Sequence, residues 1–147
     1  MPEAVVAITG ASGASYGVRL IEALAEAGWE MRLIVTREGA INLNLECGIT
    51  PGDLSSRPGV TLEDNDNLAA RSASGSARFD AYVVCPASGT TIGKIAAGIS
   101  DNLATRSALV AMKERRKLIL VPREAPFSTP HLKAMANLSE WGVVILP

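Results

Sequence analysis

A chain of 147 residues suits one hydrophobic core and one domain spanning residues 1–147. With 48% apolar and 20% charged residues, it falls outside the range of disordered chains. Lys plus Arg (14) nearly balances Asp plus Glu (15), and aromatics make up only 4%, which argues against nucleic acid, membrane surfaces and base-stacking platforms as partners. Cys47 and Cys85 are far apart, so a disulfide framework or zinc site is not expected, and the natural compartment is a reducing cytoplasm. No run of 18 uninterrupted apolar residues is present, so a membrane span is not expected either.

In chain order, Val5 to Ile8 reads as a strand broken at Thr9-Gly10. From Tyr16 to Ala27, apolar residues recur at helical spacing (Val18, Leu20, Ile21, Leu24), and Gly28 stops the helix. Residues 31–35 form a second strand and 39–46 a helical turn or two, ended by Gly48 and Pro51. The stretch 51–69, rich in Pro, Gly, Ser, Asp and Asn, reads as an irregular loop. A third strand covers 80–86, a helical tract 91–97, a further helix "LATRSALVAMKER", and a fourth strand 117–122. Thr129 and Pro130 read as N-cap and first residue of a helix ending near Trp141, followed by a fifth strand, 143–147.

The strands are continuous apolar runs that alternate with helices. This pattern predicts an α/β protein with a mainly parallel sheet and helices on both faces. In such sheets ligands bind beyond the C-terminal ends of strands, which selects residues 9–15, 36–38, 86–91 and 122–126.

Four groups stand out there or nearby. "ITGASGASYG" carries glycines at 10, 13 and 17 between a strand and a helix, so backbone N–H groups and the helix dipole suit an anion. It is neither G-x-G-x-x-G nor a P-loop, and no acidic residue ends the second strand, which disfavours NAD. The alternative is a tight turn whose glycines serve packing alone. In "CPASGTT", Ser88, Thr90 and Thr91 surround Gly89, offering hydroxyls to a phosphate or flavin edge; simple N-capping is the alternative. "KERRK", 113–117, suits a helix C-terminus or a solvated face, while Arg106 and Lys113, seven residues apart, share a helical face that can bind a second anion. Arg123 and Glu124 emerge at the ligand edge of the fourth strand, as a structural ion pair or as functional groups. Cys85 reads as a core thiol and His131, the only histidine, as a helix-surface residue. A His-based metal site and a Ser-His-Asp triad are thereby disfavoured.

Together, "ITGASGASYGVRLIEAL", "SASGS" (72–76) and above all the pattern "SDNLxTRxAxVxxKERRxLxLVPREAPFSxxHLxxM" resemble the UbiX-type flavin prenyltransferases of the FMN-binding flavoprotein superfamily, over most of the chain outside 50–70. The resemblance implies a three-layer α/β/α flavodoxin-like Rossmann fold in a homo-oligomer, trimer-based up to a dodecamer. It implies metal-independent transfer of a dimethylallyl group from dimethylallyl monophosphate to reduced FMN, the product serving a UbiD-type decarboxylase. Carried onto this sequence, it implies that Gly10, Ala11, Ser12, Thr36, Ser88, Gly89, Thr90, Thr91 and Arg123 contact FMN. Arg106 and Lys113 would hold the donor phosphate, and Glu46, Glu124 and Ser12 would stand at the reacting centre. Members of the family continue past "ILP" through a Tyr and a further basic residue of the donor site, so FMN binding is the better-supported half of the expectation. Two alternatives are a non-catalytic FMN-binding or delivery protein and an FMN-dependent oxidoreductase or decarboxylase of the same superfamily.

Overall fold

The computed structural model describes all residues, Met1–Pro147. Six strands form one sheet: β1 (Glu3–Ile8), β2 (Glu30–Val35), β3 (Val60–Glu63), β4 (Ala81–Ala87), β5 (Leu118–Pro122) and β6 (Val144–Ile145). Their order is β3-β2-β1-β4-β5-β6, and every neighbouring pair is parallel. This is the doubly wound Rossmann order, and without the short edge strand β3 it reduces to the flavodoxin-like order. The winding reverses between β1 and β4, which makes the space beyond those two strands the ligand crevice.

Six helices connect the strands: α1 (Ala14–Glu26), α2 (Arg37–Asn42), α3 (Pro51–Ser55), α4 (Gly89–Ala96), α5 (Leu103–Lys113) and α6 (Thr129–Glu140); a π-helical turn, Leu43–Cys47, extends α2. Strand periodicity sorts the core into two layers. Ala4, Val6 and Ile8 of β1, with Met31 and Leu33, pack against Ala14, Ile21, Leu43 and Leu54. Val5 and Ala7, with Ile34 and Val84, face Ile92, Ile95, Leu103, Ala108, Met135 and Leu138 of α4, α5 and α6. β1 and β4 are buried almost throughout because both faces are covered, so their sequences run apolar without alternation. No helix is long and apolar enough to cross a membrane.

Helix boundaries follow local chemistry. α1 ends in a Schellman arrangement: Gly28 N–H donates to Ala25 O and Trp29 N–H to Leu24 O, with Gly28 at φ 82°. α6 is capped by Ser128, whose hydroxyl faces the His131 N–H, so Thr129 is its first residue rather than its cap.

The stretch 51–69 departs from the irregular loop expected. Thr50 and Asp53 form a reciprocal capping box that starts α3 at Pro51, and Val60–Glu63 pairs with β2 from Met31 to Ile34. The sheet therefore has six strands where five were expected. A four-residue edge strand has too few residues to show a period, and its ladder partner lies far away in sequence.

Candidate functional site

The turn after β1 is held from three sides. Thr9, fully buried, donates its hydroxyl to Pro86 O (2.7 Å) and accepts from Ser88 N–H (2.8 Å), tying the end of β1 to the end of β4. Asn42 Nδ2 donates to Ala11 O at 3.2 Å. Glu46 Oε1 accepts from the N–H groups of Gly13 (2.9 Å) and Ala14 (3.2 Å). Gly13 sits at φ 106°, and a Cβ there would lie 2.9 Å from Arg123 Cγ. The stem of Arg123 thus lies against the turn that Glu46 fixes.

The N-terminus of α1, expected to receive a ligand anion, therefore already carries one of the chain's own carboxylates. A carboxylate accepting two N–H groups at a helix start contributes roughly 1–2 kcal/mol. Glu46→Ala is expected to lose about that much in chemical denaturation, with Glu46→Gln recovering part of it.

Beyond the strand ends lies a cleft in two joined lobes. One, of about 240 Å³, is lined by Gly10, Ala11, Ser12, Ala87, Ser88, Gly89, Arg123 and Glu124. The other, of about 230 Å³, is lined by Gly10, Thr36, Glu38, Ser88, Thr90, Thr91, Lys94 and Asn102. Gly10 and Ser88 belong to both. Segments distant in sequence meet there because each follows one of four adjacent strands, β2, β1, β4 and β5.

The second lobe is built for an anion. Ser88 Oγ accepts from Thr91 N–H (3.1 Å) and donates to Thr91 Oγ1 (2.8 Å). Thr36 Oγ1 accepts from Gly39 N–H at 3.0 Å. Ser88 and Thr36 are therefore helix caps as well as cleft residues. Because Thr36 and Thr91 only accept in these bonds, each keeps its hydroxyl proton for a ligand. The start of α4 adds backbone donors without intrahelical partners, with a favourable dipole. Lys94, a turn further along α4 and bonded to Asp101 (3.0 Å), supplies a cation.

The first lobe ends in Arg123 and Glu124, just past β5. They make no ion pair with each other; Glu124 Oε2 instead lies 3.9 Å from Nδ1 of the His131 imidazole. His131 is not a free surface residue. Its ring fills the space a Cβ on Gly89 would need, with Nδ1 at 2.5 Å and Nε2 at 2.7 Å from that position. The start of α4 is thus packed directly against the His131 ring of α6.

Arg106 and Lys113 line neither lobe. Arg106 sits one turn beyond Asn102 on α5, half-buried, with Nε lacking a partner. Lys113, at the end of α5, pairs with Glu114 at 3.1 Å. Arg116, within the basic run, holds the 75–77 loop by donating to Gly75 O (2.6 Å) and Tyr82 Oη (3.0 Å). Burial pushes the Cys85 thiol up to about 11, so it stays protonated in the core near neutral pH. Nowhere do three His, Cys, Asp or Glu side chains converge as metal ligands would.

Sequence reasoning missed Lys94 and Asn102 as lining residues, and reached Glu38 only as part of the segment 36–38. For Lys94 a signal existed: it follows Thr90 and Thr91 by four and three residues, the spacing of one helical face. Asn102 needed the tertiary arrangement.

A Rossmann-type sheet with a hydroxyl- and N–H-lined cleft at its switch point defines an α/β protein for phosphate-bearing cofactors. The flavoprotein family model matches residues 2–147. The flavin prenyltransferase UbiX of Archaeoglobus fulgidus is 46% identical over 143 residues, covering 97% of this chain and 78% of that relative. UbiX of Pseudomonas aeruginosa is 39% identical over 161 residues, covering 97% and 74%. Among solved structures, AnUbiX (PadA1) in complex with FMN and dimethylallyl pyrophosphate superposes with a TM-score of 0.94 at 35% identity, covering 99% of this chain and 77% of that one. A dodecameric FMN-dependent UbiX-like decarboxylase from Escherichia coli O157:H7 matches with a TM-score of 0.94 at 39% identity, covering 99% and 79%. The chain belongs to the flavoprotein family, among the UbiX flavin prenyltransferases.

Proposed function

We propose that this protein transfers a dimethylallyl group from dimethylallyl monophosphate to reduced FMN, giving prenylated FMN and phosphate. The observation that carries the proposal is the two-lobed cleft, which joins an anion-binding lobe to one ending in Arg123 and Glu124. Relatives named as flavin prenyltransferases, and the likeness to AnUbiX bound to FMN and a dimethylallyl donor, support the same reading.

FMN is the acceptor substrate: the allylic carbon–oxygen bond to phosphate breaks, and carbon–nitrogen and carbon–carbon bonds to the flavin form. Each flavin atom that is bonded loses a proton; one proton adds to the prenyl double bond as it is consumed, and the other leaves with phosphate. In this assignment Thr36, Ser88, Thr90, Thr91 and the N–H groups of α4 hold the FMN phosphate. Gly10, Ala11, Ser12 and Gly89 let the backbone approach the flavin closely, and Arg123 reaches it from β5. Glu124 moves protons at the flavin edge, a role that general acid–base geometry permits from a strand end facing the cleft. Glu46 acts by fixing the turn against which Arg123 lies.

Arg106 and Lys113 bind the donor phosphate and stabilise its departure. Their position on α5, outside this chain's own cleft, fits a site completed between copies of the chain, as in a trimer-based or dodecameric homo-oligomer. The product would serve a UbiD-type decarboxylase in the cytoplasm.

The test is phosphate release under anaerobic conditions. Release requires both reduced FMN and dimethylallyl monophosphate; a flavin-delivery protein would retain FMN and release none. Arg106→Ala and Lys113→Ala are each expected to slow release by roughly 10²–10³-fold, with FMN affinity changed by less than about threefold. An equal loss of FMN affinity would place these cations in the flavin site instead.

A further inference from the structure

His131 stands beside the cleft, against the cleft residue Gly89, and the assignment above leaves it without a task. Three observations converge on it. Its ring is packed on the backbone of Gly89 so closely that no Cβ fits between them, which fixes the ring at the start of α4. Its Nδ1 is buried and has no hydrogen-bond partner. The nearest carboxylate oxygen is Glu124 Oε2, 3.9 Å away, beyond hydrogen-bond reach. A buried nitrogen without a partner is costly, so a partner within a small rotation is significant. Glu124 has that freedom: its side chain is 54% exposed and stands on the loop after β5, whereas the imidazole, 32% exposed, is packed on Gly89 at the start of α4.

We infer that His131 is the positioning residue of Glu124: with flavin in the cleft, the Nδ1–H of the neutral imidazole donates to Glu124 Oε2 and aims the other carboxylate oxygen at the flavin edge. The proposal rests on the reading of Glu124 as the group that moves protons. It accounts for two features together. The ring lies against Gly89, the first residue of α4, where a side chain would have to displace it, and Ser128 caps α6 three residues earlier, so His131 occupies the first turn of α6, at the cleft end of that helix. The hydrogen bond also sets the tautomer, since a donor at Nδ1 leaves Nε2 unprotonated. His131 touches neither flavin nor donor in this arrangement and acts only through Glu124.

Because His131 is the only histidine, its ring nitrogens can be observed without assignment ambiguity. The experiment is long-range ¹H–¹⁵N NMR of the full chain with oxidised FMN, at a pH where the imidazole is neutral. The expected result is a dominant Nδ1–H tautomer that moves toward Nε2–H in Glu124→Ala. An Nε2–H tautomer in the wild type, or no change in Glu124→Ala, would overturn the pairing.

A kinetic arm separates positioning from packing. An Asn amide can place its N–H near the imidazole Nδ1 position; a Gln amide cannot. His131→Ala and His131→Gln are expected to slow prenyl transfer by roughly 10- to 100-fold, the worth of a hydrogen bond to a charged group, and to add little further loss in a Glu124→Gln background. His131→Asn is expected to recover most of the rate. Equal losses in Asn and Gln variants, additive with Glu124→Gln, would overturn the proposal in favour of packing. The NMR arm does not depend on turnover. A wild-type chain that makes no prenylated flavin yet shows the tautomer shift would sink the proposed reaction and support the pairing.

Discussion

Glu124→Gln is expected to slow prenyl transfer by roughly 10²–10⁴-fold, the usual contribution of a positioned proton donor or acceptor. The change is nearly isosteric. It keeps an oxygen able to accept a hydrogen bond and removes only the ability to take up and release a proton. Glu124 lies on the cleft wall directly after β5 and makes no ion pair with Arg123, so its loss leaves no buried cation unbalanced. Folding stability should therefore stay within about 0.5 kcal/mol, as for surface substitutions away from special features. FMN affinity should be nearly unchanged as well, because the anion-binding lobe is built from β2, β4 and α4 rather than β5. Single-turnover kinetics with saturating donor separates these effects. A wild-type rate in Glu124→Gln would leave Arg123-Glu124 as strand-end charges without chemistry.

Gly17→Ala should have the largest effect on the fold. Gly17 lies in the first turns of α1, and a Cβ there would sit 2.6 Å from the backbone carbonyl oxygen of Cys85 and 3.1 Å from Ile8 Cγ1. A backbone carbonyl within a central strand cannot rotate away as a side chain can, so α1 must lift from β1 and β4. Overpacking of this kind costs roughly 1–3 kcal/mol. For a chain of this size that corresponds to a Tm lower by about 2–4 °C per kcal/mol. The damage extends to the cleft, because Pro86, Ala87 and Ser88 follow Cys85 directly and Thr9 binds both Pro86 and Ser88. Weaker FMN binding should accompany the lower Tm. An unchanged Tm would mean that α1 is not seated on β4 as described.

Much of this architecture was legible in the sequence, for a definite reason. The central strands are covered on both faces, so "AVVAI" and "AYVVC" announce themselves as apolar runs, and glycine at position 28 marks the end of α1. The switch-point rule then selected the four strand ends that do line the cleft. What was hidden depends on long-range geometry. β3 is four residues long and exists through pairing with β2. Glu46 reaches the start of α1 across 33 positions. His131 looks like a surface residue on a polar helix until Gly89 is seen beneath its ring. Arg106 and Lys113 were correctly placed on one helix, but no sequence pattern reveals that neither lines the chain's own cleft.

The measurement that bears most directly on the central claim is mass spectrometry of the flavin after anaerobic incubation with reduced FMN and dimethylallyl monophosphate. A flavin heavier by one five-carbon unit, formed with an equivalent of phosphate and strongly reduced in Glu124→Gln, is the predicted result. Recovery of unmodified FMN alone from a protein that has bound it would contradict the account.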